Sequence, residues 1–521
     1  MRAVLGDLLR DAARRHPDGT AVVDGASRLT YRELDERTDR LARLLADLGV
    51  GRGDRVGIFL DKSAHAVVGL WGVLKAGAAY VPIDAQSPVA RAGYIAGNCR
   101  VRCLITASGS KAAWPELVRL APSIEHVIVL DADTDDLGAG TLPVVGAERL
   151  ADQIDGPPAV SVLDQDVAYI LYTSGSTGEP KGVTLTHRNA MAFVTWAAEE
   201  FAIGPSDRLS SHAPFHFDLS VFDLFAAAWG AATLVLVPRR ASVFPSEIAK
   251  FMRNEQITVW YSVPSILTTL TTQGAITAAD VPSLRTLLFA GEVFPTKHLR
   301  TLMSLLPGVR FANLFGPTET NVCTWYDVPP LPVDMVETIP IGRAITNDHT
   351  YVVTEDGTLA KTGEAGELYV RGATVMRGYW ADPERTERLL VTDPFAAAFP
   401  DPVYRTGDLV REDEDGNLRY LGRRDAQIKS RGYRIELGEI EAAIDAHPDI
   451  TECAVVAIPD DLITNRIKAF VVGGADEREL VKYCNDRIPK YMIPQTFEFR
   501  TELPKTSNGK TDRRALQAAE V

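Results

Sequence analysis

Cysteine is scarce. Five residues in 521 cannot build a disulfide framework, and the one close pair, Cys99 and Cys103, lacks the second pair of ligands a zinc site needs. These are thiols of a reducing, cytoplasmic setting. An excess of positive charge is also missing: 55 Lys and Arg stand against 69 Asp and Glu, a net charge of −14, which argues against nucleic acid or an anionic membrane as a partner. No apolar run reaches the length that spans a bilayer. The N-terminus is no secretory signal. Leu5, Leu8, Leu9, Ala12 and Ala13 recur at helical spacing with charges between them, and Pro17 and Gly19 end the segment. Internal repeats and low-complexity tracts are absent.

What is present is the composition of a globular protein, 46% hydrophobic and 24% charged, in a chain too long for one small core. Arg55–Leu60 reads as a buried strand, Ala64–Lys75 as a helix and Ala79–Ile83 as the next strand; strand-like runs recur at Thr233–Val237, Ile257–Val263 and Leu284–Phe289. This alternation predicts an α/β fold of layered, mostly parallel sheets. From Gly366 short strands separated by Gly and Asp turns suggest a small barrel-like region. After Asp425 comes a compact α+β unit, with helices near Glu436–His447 and Glu477–Arg487 and strands at Cys453–Ile458 and Lys468–Val472.

The densest signal is Tyr172–Gly182, YTSGSTGEPKG, followed at once by the strand-like VTLTH. Glycines let the backbone approach a ligand closely, so that successive N–H groups can surround an anion. Hydroxyls and one ammonium complete a phosphate cradle. Pro180 stands where an ordinary phosphate loop has its second Gly, and β-branched residues follow the Lys, so this is a different nucleotide loop.

The segment resembles the signature loop of the adenylate-forming superfamily, which includes acyl-CoA synthetases, luciferases and the adenylation domains of nonribosomal peptide synthetases. Further blocks match in family order: LTYRELDE (Leu29–Glu36), LKAGAAYVPID (Leu74–Asp84), NLFGPTE (Asn313–Glu319), GELYVRG (Gly366–Gly372), YRTGDL (Tyr404–Leu409), GRRDAQIKSRGYRIELGEIE (Gly422–Glu441), IPKYMIP (Ile488–Pro494) and NGKTDR (Asn508–Arg513). The last four favour the amino-acid-activating branch. The resemblance implies a large domain over residues 1–424 and a mobile cap over 425–521, hinged at Asp425. The chain stops soon after NGKTDR with no carrier motif, so a free-standing enzyme is expected.

The implied reaction is attack of a carboxylate on the α-phosphorus of ATP, which needs cations, N–H donors and Mg²⁺ around the developing charge. By resemblance, Thr173, Ser174, Gly175, Ser176, Thr177, Gly178 and Lys181 would grip the phosphates. Glu319 would hold Mg²⁺ and Thr318 would touch the α-phosphate beside Gly316. Asn313 would bond the adenine edge and Phe315 stack on its face, with the backbone of Gly291 and Glu292 alongside. Asp408 would take the ribose hydroxyls, with Tyr420 and Arg423 near. Lys510 would reach from the cap to the substrate carboxylate. The chain supplies no nucleophile of its own for the second step. The family passes the acyl group to an external phosphopantetheine thiol after the cap rotates, which would bring Lys429, Arg431 and Gly432 to the site.

Asp218, in FHFDLSVFD, matches the acid that holds a substrate α-ammonium; for a fatty or aryl acid it would be an unpaired buried charge. The family's pocket positions fall on Asp218, Leu219, Phe222, Tyr261, Leu288, Ala290, Leu314, Val322, Cys323 and Lys510. Between the charged ends the walls are apolar or weakly polar and several are bulky, so a small apolar amino acid is expected. The string resembles that of free-standing proline-activating enzymes, which load L-proline onto a separate peptidyl carrier protein for oxidation to a pyrrole-2-carboxyl group. One methylene is worth only ~1–3 kcal/mol, so the walls alone leave D-alanine or another small amino acid open.

Overall fold

The computed structural model describes residues 3–137, 144–154, 156–175, 178–274, 276–396, 400–425, 427–460, 462–505 and 511–518. Local chemistry starts the helices where the pattern puts them. Thr30 and Glu33 form a reciprocal capping box at the head of Tyr31–Asp47, and Thr186 with Asn189 does the same for His187–Glu200. The amphipathic first helix spans Leu5–Arg15 and buries Leu5, Leu8, Leu9, Ala12 and Ala13. Short, wholly apolar runs become central strands: Ala79–Ile83 and Thr286–Ala290 are buried along their entire length, as parallel strands covered on both faces must be.

Two large sheets carry the first two thirds of the chain. One has, in spatial order, Arg343–Ala344, Thr324–Asp327, Arg310–Phe315, Thr286–Ala290, Val259–Ser262, Arg208–Ser211, Thr233–Leu236, Thr20–Asp24 and Ser27–Thr30. Its central strands are parallel and antiparallel strands close both edges. The other runs Gly378–Tyr379, Lys181–Thr186, Val167–Thr173, Ala79–Ile83, Arg55–Phe59, Cys103–Thr106, His126–Val129 and Val144–Val145. A shared apolar core joins the two, with separate cores on one face of each.

The antiparallel region comprises Asp348–Val353, Ala365–Gly372, Pro402–Glu412, Leu390–Thr392 and Leu418–Arg423. It begins at Asp348 rather than Gly366, because the half-exposed edge strand Asp348–Val353 pairs along its whole length with Ala365–Gly372. Its weak alternation hides it in the sequence. The C-terminal unit has a hairpin, Gln427–Ser430 with Tyr433–Glu436, then the helix Leu437–Asp445, a sheet of Ile450–Asp460, Thr464–Gly473 and Thr496–Phe499, and the helix Glu477–Asn485. It has its own core around Ile435, Ile440, Val455 and Leu480. The five thiols are buried and free. No helix among the described residues is long and apolar enough to cross a membrane.

His187 ties the first helix to this scaffold: its buried ring accepts the Leu5 N–H at Nδ1, 3.2 Å away. Burial pushes its pKa down to about 4, against the pull of Asp166. The unfolded chain therefore binds a proton near pH ~6.5 that the folded chain refuses until about pH 4. This residue's share of stability, about 3 kcal/mol, is present above pH ~6.5 and is lost as pH falls to about 4. His187→Asn retains an acceptor for Leu5 and is expected to flatten the acid limb of a plot of urea midpoint against pH; an unchanged slope would mean that the imidazole titrates normally in the fold.

Candidate active site

Val259–Ser262, Thr286–Ala290 and Arg310–Phe315 lie side by side in parallel register. Their carboxyl ends therefore deliver Tyr261, then Gly291 and Glu292, then Gly316 to one edge of the sheet. This is where open α/β sheets bind ligands. Gly316 turns the chain so tightly that a Cβ there would sit 2.3 Å from the Asn321 carbonyl oxygen.

A cavity of ≈290 Å³ opens at that edge, lined among others by Gly291, Glu292, Asn313, Phe315, Tyr420 and Arg423. Phe315 and Tyr420 stand 5.8 Å apart, ring to ring, and Lys429 of the C-terminal hairpin lies 5.4 Å over Phe315. Asn313 donates to Pro340 O at 2.8 Å. Asp408 is buried. Desolvation pushes its carboxyl upward, while Arg423, Lys429 and Arg434 pull the other way. Arg423 donates to Asp408 at 2.9 Å and grips Asp425 with two bonds of 2.7 and 2.8 Å. One guanidinium thus joins the expected ribose acid to the expected hinge.

A second, smaller cavity of ≈90 Å³ adjoins it. Asp218, Leu219, Tyr261, Ala290 and Val322 bound it, and Gly291 and Lys429 line both. Asp218 accepts the Thr318 hydroxyl at 2.5 Å. Burial pushes its carboxyl upward, opposed by that bond and by Lys429. Phe222, Leu288, Leu314 and Cys323 belong to the same apolar core. Phe222 packs edge-on against Tyr261 at 5.6 Å, and the Cys323 thiol donates to Phe315 O at 3.6 Å, a packing role. Of the ten expected pocket positions, Asp218, Leu219, Tyr261, Ala290 and Val322 line this cavity, and Phe222, Leu288, Leu314 and Cys323 lie in the apolar core behind it. Lys510 lies outside the described residues, as do Ser176 and Thr177.

Thr173 ends one strand and Lys181 begins the next, paired antiparallel, so the Gly-rich loop is a hairpin connection held at both ends. Thr173 Oγ1 is buried with no hydrogen-bond partner among the described residues. Lys181 Nζ is 3.7 Å from Glu319. Burial and the nearby Arg434 bring its pKa down to about 8, against the pull of Glu319. Glu319 is wholly buried. It accepts the Tyr379 hydroxyl at 2.6 Å and pairs with Arg434 at 2.6 Å. Desolvation opposes its ionisation, yet Arg434, Lys181 and Tyr379 together hold the carboxyl well below the usual range.

Arg434 comes from the C-terminal hairpin, which is docked on the loop. Ser174 Oγ donates to Arg434 O at 2.7 Å, and Gly175 N donates to Glu439 at 3.2 Å. The other Glu439 oxygen pairs with Arg91. Gly432 has φ +80°, and a Cβ on it would lie 2.3 Å from Val263 Cγ1. Arg431, also at positive φ, is exposed beside it. On either side of residues 506–510, Lys505 and Thr511 are bonded to Glu452 of the C-terminal unit's own sheet. Sequence reasoning quoted Arg434 and Glu439 inside the Gly422–Glu441 block without giving them roles, and missed Arg91 and Tyr379. The signal that could have found Arg434 is that Glu319 needs a cation once it is buried.

The chain matches the family model described as AMP-binding enzyme over residues 9–380 and the one described as AMP-binding enzyme C-terminal domain over residues 439–510. It is 40% identical over 517 residues to an L-proline--[L-prolyl-carrier protein] ligase of Pseudomonas fluorescens, covering 98% of each chain. A protein of the same name from Streptomyces coelicolor is also 40% identical over 517 residues, 98% of this chain and 95% of that one. Among solved structures, the Vibrio cholerae adenylation domain AlmE, in complex with glycyl-adenosine-5'-phosphate, superposes with a TM-score of 0.84 at 24% identity, over 100% of this chain and 98% of that one. At that identity the likeness is one of fold.

Proposed function

The chain belongs to the AMP-binding enzyme family, and from that premise we propose that it activates L-proline with ATP and hands the prolyl group to the phosphopantetheine thiol of a separate peptidyl carrier protein. The observation that carries this reading is the meeting of the two cavities at Gly291 and Lys429. The smaller has an apolar side of Leu219, Tyr261, Ala290 and Val322 and the Asp218 and Asp408 carboxylates; the larger has the aromatic face of Phe315 and Tyr420 and the Asn313 amide.

In the first half-reaction Asp218 takes the proline ammonium, and the ring packs on Tyr261, Ala290 and Val322. The adenine stacks on Phe315 beside Asn313 and Tyr420, and Asp408 accepts the ribose hydroxyls. The polyphosphate meets the N–H groups and hydroxyls of the Thr173–Gly178 loop, where the orphaned Thr173 hydroxyl gains a partner, and the ammonium of Lys181. A carboxylate oxygen of proline attacks the α-phosphorus, the bond to the bridging oxygen breaks, and pyrophosphate leaves. Glu319 suits a hard cation such as Mg²⁺. It is a buried oxygen donor with the Thr318 hydroxyl next to it in sequence, and its negative charge, met here by Lys181 and Arg434, is one a hard cation could meet in their place. Such an ion, when bound, offsets phosphate charge.

In the second half-reaction the thiol attacks the acyl carbon and AMP leaves. The docked hairpin suits this step: Gly432 lines the smaller cavity where a side chain would meet Val263, and Arg434 faces Glu319. The large domain over residues 1–424 and the cap over 425–521, hinged at Asp425, exchange between this arrangement and one that brings Lys510 to the reacting carboxylate. The buried free thiols fit a cytoplasmic enzyme.

The substrate is tested by ATP–pyrophosphate exchange over an amino-acid panel. L-Proline is expected to exceed L-alanine, L-valine and D-alanine; a lead for D-alanine or a fatty acid would contradict the pocket reading. The division of labour is tested by separating the steps. Lys510→Ala is expected to lower proline-dependent exchange by roughly two or more orders of magnitude, as loss of one preorganised donor does. It should still transfer proline from supplied prolyl-adenylate to the loaded carrier. Gly432→Leu should lose transfer far more than exchange, because its side chain collides with Val263. Equal losses in both steps for both variants would exclude two working positions of the cap.

A further inference from the structure

Glu292 was expected to contribute its backbone to the adenine site, but its side chain does something else. One carboxylate oxygen accepts Ser265 N–H at 2.9 Å. Ser265 lies in the first turn of the helix Pro264–Thr272, whose preceding residue Val263 offers no capping side chain. The first-turn N–H groups of a helix have no partner within it, so the carboxylate supplies one from a neighbouring strand end. The other oxygen accepts Gly432 N–H at 2.7 Å, across 140 positions of sequence, from the C-terminal hairpin. Glu292 is buried, and both oxygens are committed.

We propose that Glu292 is a positioning residue for the transfer half-reaction: its carboxylate ties the Gly432 turn to the head of the Pro264–Thr272 helix and holds the cavity wall at Gly432, past which the thiol must come, in register with the acyl group. The tie is built on both sides. On the hairpin side Asn465 donates to Lys429 O at 2.8 Å and Arg431 N–H donates to Ile463 O at 3.2 Å, so the turn that Glu292 grips is itself held. On the sheet side Glu292 follows Gly291, which lines both cavities, and Gly432 lines the smaller one, so a shift of the turn moves that wall relative to the substrate. A carboxylate is required because both partners are N–H donors. A glutamine has one acceptor oxygen, and its amide NH₂ would face one of the two donors.

The inference rests on the functional reading above, which wild-type exchange tests first. Once exchange is established, the tie stands or falls separately. The experiment uses the full chain with a phosphopantetheinylated carrier, and each variant is measured for both proline-dependent exchange and transfer. Glu292→Gln is expected to lower the ratio of transfer to exchange by about tenfold or more, the loss anticipated for a buried hydrogen bond to a charged group. The fall should lie in the transfer rate rather than in the KM for proline. Glu292→Asp keeps both acceptors at shorter reach and should recover part of the ratio. As a readout independent of turnover, amide hydrogen exchange in the 431–436 segment, with 5'-O-(N-prolylsulfamoyl)adenosine bound, should quicken in Glu292→Gln relative to wild type. A ratio that stays at the wild-type value in both variants, or a segment whose protection does not change, overturns the proposal.

Discussion

A carboxylate shut away from water must keep positive charge beside it, and Glu319 is such a group. It has no exposed surface, and an isolated charge in its place is driven to neutralise. Three elements distant in sequence meet to satisfy it: Lys181 from the start of a strand, Tyr379 from the short strand beside it, and Arg434 from the C-terminal hairpin. Removing one partner of a buried pair costs about 3–5 kcal/mol, so the hairpin's position and the charge state of the site are linked. Under the proposed function, Arg434 and a cation carrying the phosphates are alternative ways to meet the same demand.

The rest of the scaffold serves that exchange. Parallel strands end together and place Tyr261, Gly291, Glu292 and Gly316 on one edge. Arg423 binds Asp408 and Asp425 at once, so the residues expected to hold ribose and to hinge the cap share a guanidinium. An aromatic column continues the contact. Phe217, next to Asp218, packs edge-on against Tyr433 at 4.9 Å, and Tyr433 stacks on Tyr491 at 3.7 Å. The wall of the smaller cavity and the C-terminal unit are therefore in direct mechanical contact.

Much of this was legible in the sequence where the signal is local. Periodicity found Ala64–Lys75 and Ala79–Ile83 because burial on one helix stripe, or on both faces of a central strand, writes itself into neighbouring residues. The motif blocks brought Asp218, Asn313, Phe315, Asp408 and Lys429 to adjoining cavities. What escaped depends on partners far along the chain. The edge strand Asp348–Val353 is half exposed and carries little alternation. The side chain of Glu292 finds its meaning in an N–H 140 positions away. Arg434 and Glu439 read as ordinary charges until the hairpin is seen against the loop that they touch.

The central claim is that the docked hairpin and the loaded nucleotide compete for Glu319. Its most direct test is a distance. Exposed Lys111 and Arg478 can be replaced by cysteine and labelled, the native thiols being buried, and resonance energy transfer followed on single molecules. The account predicts that Mg–ATP with proline moves molecules from the docked distance to a second one, and that Arg434→Met makes the same shift without ligand. One unchanged distance under both conditions would contradict it.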